Sequence, residues 1–129
     1  MLEVENFKYR EVLKQRTKAL ALRVIKLYKS LPKTTEAQII GKQLLRSATS
    51  IAANYRAACR ARSNAEYFSK ISIVIEEADE TMFWLEILWE ANIIKQELLQ
   101  DLYNENEEIL KIMVVSRKNS EKNKKRITE

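Results

Sequence analysis

Histidine is absent from this 129-residue chain, and glycine, proline and cysteine occur once each. Without His, neither a Ser-His-Asp nor a Cys-His arrangement can be built, and the Glu-x-x-His spacing of di-iron bundles is excluded too. The single glycine, Gly41, lies inside an apolar-periodic segment, so no Gly-rich phosphate loop exists. A lone Cys59 excludes an internal disulfide and a thiolate metal cluster, and its alanine-rich surroundings mark it as a small core or boundary residue. No apolar run approaches the roughly 18 to 20 residues of a membrane span, and MLEVENFKYR has no apolar segment leading to a cleavage site. The expectation is a soluble, cytoplasmic protein without a membrane partner.

What remains is rich in Ala, Leu, Ile, Glu, Lys and Arg, all strong helix formers, and predicts an all-α domain. Leu13, Thr17, Leu20, Val24, Leu27 and Leu31 step by three and four along a first helix, from about Glu11 to Ser30, closed by Pro32. Thr35 with Gln38, and Ser63 with Glu66, have capping-box form and open a second helix, to about Arg60, and a third. In the third, Phe68, Ile71, Ile75, Ala78, Met82, Leu85 and Trp89 form the longest apolar stripe, and Asn92 can end it in the left-handed conformation. Leu99, Leu102, Ile109 and Met113 define a fourth, reaching about Ser116. Short loops make successive helices antiparallel neighbours, so the expected fold is an up-down-up-down four-helix bundle over residues 11–116. Residues 1–10 are an N-terminal extension, and 117–129, with Ile127 alone to bury, a disordered basic tail.

Charge is segregated by sign. Residues 1–62 hold 14 Lys and Arg against 4 acids, residues 63–116 hold 3 against 12, and residues 117–129 hold 6 against 2. Such surfaces must face each other within the molecule or meet other molecules. On the second helix, Lys42, Arg46, Arg56 and Arg60 form a ridge opposite Ile40, Leu44, Ile51 and Ala58, with Thr49 and Ala53 between the charges. The ridge is a solvated or internally paired face, a protein-binding surface or a phosphate-binding one. On the third helix, Ile73, Trp84 and Ile87 project away from the core stripe among Glu66, Glu77 and Glu80. Either the fourth or the first helix of the same subunit covers them, or Ile73, Glu77, Glu80, Trp84 and Ile87 form a subunit interface that meets a basic surface of another copy.

Ser47 and Asn54 fall on the second helix's inward stripe and require partners across the bundle, while nothing beside them could activate a nucleophile. Glu76, Glu77, Asp79 and Glu80 offer oxygen ligands for Mg²⁺ or Ca²⁺, but successive helix positions point around the axis instead of converging. Neither a catalytic residue, a metal site nor a cofactor is expected.

The segment Gln43 to Asn54, with its Ser47-x-x-Ser50-Ile51-x-x-Asn54 pattern, resembles the second-helix signature of proteins encoded in intervening sequences of bacterial 23S rRNA genes. Arg62-Ser63 through Phe68, Glu76-Glu77-Ala78-Asp79-Glu80 and Phe83-Trp84-Leu85-Glu86 continue the resemblance, which spans about residues 7 to 116. Where that family commonly has Ile-Ala-Glu-Gly, this chain has Tyr55-Arg56-Ala57-Ala58, so no ligand role tied to that Glu and Gly carries over. The resemblance implies an antiparallel four-helix bundle assembled into a homopentameric ring. It extends to the accessory protein of diversity-generating retroelements, a basic pentamer that binds nucleic acid and a reverse transcriptase.

These readings converge on a non-catalytic homo-oligomer that binds RNA or DNA, with little sequence preference, through Lys42, Arg46, Arg56, Arg60 and the tail residues Lys122, Lys124, Lys125 and Arg126. The alternative is a protein-interaction adaptor, for example for a reverse transcriptase, whose basic ridge is consumed by oligomer or partner contacts.

Overall fold

Helix-forming composition and the 3-4 apolar spacing produce four helices in a computed structural model of the chain: α1 (Leu2–Ser30), α2 (Thr35–Cys59), α3 (Asn64–Glu90) and α4 (Gln96–Thr128). The structure describes the backbone of residues 2–128 and the side chains of residues 7–121, and no strand occurs among them. Each helix packs on its neighbours in sequence, and α1 meets α4 to close the square, with the α1–α4 seam the least extensive. This is the arrangement that short loops impose on antiparallel helices.

The junctions follow local chemistry. Thr34, one residue before the expected cap, accepts a 3.4 Å hydrogen bond from the Ala37 amide, which frees Thr35 to be the first helical residue. Gln38 is therefore no capping-box partner; its side chain meets the Tyr28 hydroxyl and donates to the Pro32 carbonyl. Ser63 caps α3 as expected, accepting from the Glu66 amide at 3.1 Å. Asn92, at φ 58°, ends α3: its amide and that of Ile93 return to the carbonyls of Trp89 and Leu88, a Schellman closure.

Leu13, Leu20, Val24, Leu44, Ile51, Ile71, Leu85, Leu99, Ile109 and Met113 form the dry centre. The α3 stripe is rotated from its expected position. Ile71, Ala78 and Leu85 are buried, but Val74, Thr81 and Leu88 share the core with them while Phe68, Ile75, Met82 and Trp89 are half-buried flanks. An α3 that is apolar around most of its circumference supports both stripes, and packing against two neighbours selects between them.

Two polar links cross the core. Thr81 donates to Ser47 at 2.8 Å, and Ser47 to the Leu44 carbonyl, so α2 and α3 are held in register as expected for Ser47. Asn54 does not cross the bundle: its amide donates to the Ser50 carbonyl and hydroxyl one turn earlier in α2. Asn106, not singled out in the sequence, donates instead from α4 to the Ala78 carbonyl at 2.9 Å.

Both ends of the chain depart from the expected boundaries. Residues 2–10 continue α1, and α4 runs to Thr128 instead of stopping near Ser116. Where a disordered tail was expected, the backbone runs on as helix: Lys, Glu and Arg favour helix, and the buried Ser120 ties α4 to α3. The Ser120 hydroxyl donates to Asn64 Oδ1 at 2.7 Å, and Asn64 Nδ2 donates to the Ser120 carbonyl at 2.8 Å.

Gly41 leaves room on α2 for Tyr28 of α1 and for Leu31 just after it, since a Cβ there would lie 2.5 Å from Leu31 Cδ1 and 2.9 Å from Tyr28 Cδ2. Leu31 is buried and Tyr28 is anchored to Gln38, so neither can yield freely. Gly41→Ala is expected to destabilise the fold by about 1 to 2 kcal/mol in urea unfolding, overpacking outweighing the helix propensity gained.

Candidate nucleic-acid interface

The sign segregation of the sequence is first resolved inside the subunit. Arg46 of α2 reaches Glu77 of α3 at 3.1 Å and also pairs with Glu80. On the opposite side, Arg16 of α1 grips Glu105 of α4 through two hydrogen bonds of 2.6 and 3.1 Å, with Glu108 at 3.3 Å. The Arg16 guanidinium is held firmly in its charged form, chiefly by the Glu105 hydrogen bond.

The Arg46 pairs mark the side of α3 that faces α2. The flank carrying Ile73, Glu77, Glu80, Trp84 and Ile87 faces α2, and all five are half-buried. Trp84 packs against the core, edge-to-face with Phe83 at 4.9 Å between centroids. Within the subunit this flank is thus partly covered, with Glu77 and Glu80 paired to Arg46 of α2. The exposed apolar groups on the two helices are instead Phe83 and Ile39, at 49% and 58% exposure.

Of the expected phosphate-binding residues, Arg56 and Arg60 are brought together with new partners. A groove of about 490 Å³ between α1 and α2 is walled by Lys14, Lys18, Arg56 and Arg60 over a floor of Thr49, Ala52 and Ala53. A second depression of about 480 Å³ on the other side of the same α2 edge shares Arg56 and Arg60 and adds Arg62 and Lys70. The two hold six cations against Glu11 and Glu66. Glu11 pairs with Lys14, and Glu66 accepts from the Arg62 amide at 3.2 Å. Small floor residues permit close approach of a phosphate backbone.

Lys42 is exposed on the same helix but borders neither depression, and Arg46 is turned to α3. Lys122, Lys124, Lys125 and Arg126 lie outside the residues whose side chains are described. Lys14, Lys18, Arg62 and Lys70 were missed in the sequence because they belong to α1, the α2–α3 turn and acidic α3. The four-residue spacing of Lys14 and Lys18 was the available signal.

Arg62 also lines a third cavity, of about 550 Å³, at the end of the bundle where α1 and α4 run on past the α2–α3 turn. Arg10, Tyr9, Tyr55 and Tyr67 face it with Asn64 and Ser120, and Arg10 lies over the Tyr67 ring, 4.9 Å from its centroid. Burial pushes the Tyr55, Tyr67 and Cys59 ionisations upward, so their O–H and S–H groups stay protonated at neutral pH.

The family described as 23S rRNA-intervening sequence protein matches residues 11–115. A crystal structure of a protein of unknown function from the S23 ribosomal protein family of Bacteroides thetaiotaomicron is 37% identical, with a TM-score of 0.79 over 84% of this chain and 97% of the other. No curated protein matches.

Because the folded tyrosines ionise above their ordinary value of 10.0, the unfolded chain releases those protons first. The stability they contribute is full below about pH 10 and declines as pH rises beyond it. Urea unfolding from pH 8 to 11 should show this decline, and Tyr55→Phe should make it shallower.

Proposed function

We propose, because the chain belongs to the 23S rRNA-intervening sequence protein family, that it is a non-catalytic, homo-oligomeric scaffold that binds nucleic acid, RNA first, through phosphate contacts. The observation that carries this reading is the cation-walled α1–α2 groove and its continuation across Arg56 and Arg60. Six cations with an alanine floor suit a sugar-phosphate backbone. The absence of aromatic or Asn side chains from the lining of these two depressions, Gln15 being the one amide, suits binding indifferent to base sequence.

The site differs from the ridge read in the sequence. Arg46 leaves it, since its charge is met by Glu77 and Glu80, and Lys14, Lys18, Arg62 and Lys70 join Arg56 and Arg60. Self-association, pentameric by the family resemblance, has the exposed Ile39 and Phe83 as its apolar anchors, with the half-buried α3 flank of Ile73, Glu77, Glu80, Trp84 and Ile87 beside Phe83. Phe83→Ser is expected to lower the mass found by analytical ultracentrifugation while leaving the helical circular dichroism intact. An unchanged mass would remove Phe83 from the interface.

Fluorescence anisotropy of a labelled single-stranded RNA tests the binding. With about six phosphate contacts to a single strand, affinity should fall by roughly three-hundredfold between about 50 and 200 mM salt. Arg56→Gln and Arg60→Gln should each weaken binding and lower the salt slope by about one, whereas Arg46→Gln should leave the slope unchanged. No binding at the lower salt would overturn the reading in favour of a protein client.

A further inference from the structure

The end cavity differs from the grooves in chemistry. Its lining includes two arginines and three tyrosines but no carboxylate, in a chain with 18 acidic residues. Among the described residues, neither Arg10 nor Arg62 forms a salt bridge. Arg10 is held against the Tyr67 ring, so its guanidinium is positioned before any ligand arrives. Tyr9 stands at 51% exposure and offers a free ring face, which the grooves lack.

Position adds a second constraint. Arg62 belongs both to this cavity and to the depression that contains Arg56, Arg60 and Lys70. The cavity is therefore a half-open terminus of the basic track, flanked by Tyr9 and Arg10 of α1 and by Ser116, Asn119 and Ser120 of α4. A strand following the track with its phosphates arrives there with its end. At about 550 Å³ the cavity lies within the range of small-ligand sites and is large enough for one nucleotide.

We propose that this cavity binds the phosphate-bearing terminal nucleotide of a single strand, with Arg10 and Arg62 on the phosphate and Tyr9 stacked on the base. The proposal rests on the nucleic-acid reading above and adds end recognition to it. Arginine forks suit a terminal phosphate, whose additional charge and free oxygens distinguish it from an internal diester. Neutral tyrosine hydroxyls add donors without repelling it, and stacking on an aromatic face is tolerant of base identity.

The test compares single-stranded RNAs of about a dozen nucleotides bearing a 5′-phosphate, a 3′-phosphate or hydroxyls at both ends, by competition anisotropy with the full chain. One phosphorylated end should bind about tenfold more tightly than the hydroxyl-ended strand, the worth of a charge-assisted hydrogen bond or two. Arg10→Gln should abolish that preference by weakening the phosphorylated strand about tenfold more than the hydroxyl-ended one, and Tyr9→Ser, at a half-exposed position, should reduce it. Equal affinity for all three strands, or a preference that survives Arg10→Gln, would overturn end recognition while the salt-sensitive binding stood. Failure of every strand to bind would overturn both readings together.

Discussion

The close seating of basic α2 against acidic α3 decides how the rest of the molecule is arranged. Ser47, Ala48, Ile51 and Ala58 present a shallow surface, and the Thr81–Ser47 hydrogen bond fixes the register of the two helices. In that register Arg46 meets Glu77 and Glu80. Each exposed ion pair contributes little alone; packing of the apolar residues selects which side of α3 becomes the core, and the Arg46 pairs fit that orientation. The Arg16 cluster with Glu105 and Glu108 joins α1 and α4 across the seam with the least packing.

These internal pairs also determine what charge is left over. The acidic surplus of α3 and α4 is partly neutralised by two arginines, whereas the α1–α2 edge keeps Lys18, Arg56 and Arg60 facing outward around a floor of small residues. The extension of α1 and α4 beyond the α2–α3 turn converts the end of that edge into a tyrosine-lined cavity. The basic edge and the carboxylate-free cavity at its end thus follow from how the folded helices divide the charge of the chain.

Helix number, order and most junctions were legible because they depend on local signals: Pro32, Ser63, Asn92 and the 3-4 spacing of α1 and α4. The orientation of α3 was not, since its apolar residues surround the axis and two stripes fit equally. Helical projection placed Trp84 outside; packing of α3 places it half-buried against the core. The helical end of α4 was missed because composition alone does not reveal that Ser120 docks on Asn64. Arg56 and Arg60 were found from one helix face, but their companions on α1 and α3 are brought near only by folding.

Lysine footprinting with and without a saturating single-stranded RNA, followed by mass spectrometry, tests the central claim that the α1–α2 edge is the binding track. Lys14, Lys18 and Lys70 should lose reactivity towards an acylating reagent when RNA is bound, while Lys95 and Lys111 stay reactive. Protection of Lys95 and Lys111 with Lys14, Lys18 and Lys70 unchanged would contradict the account.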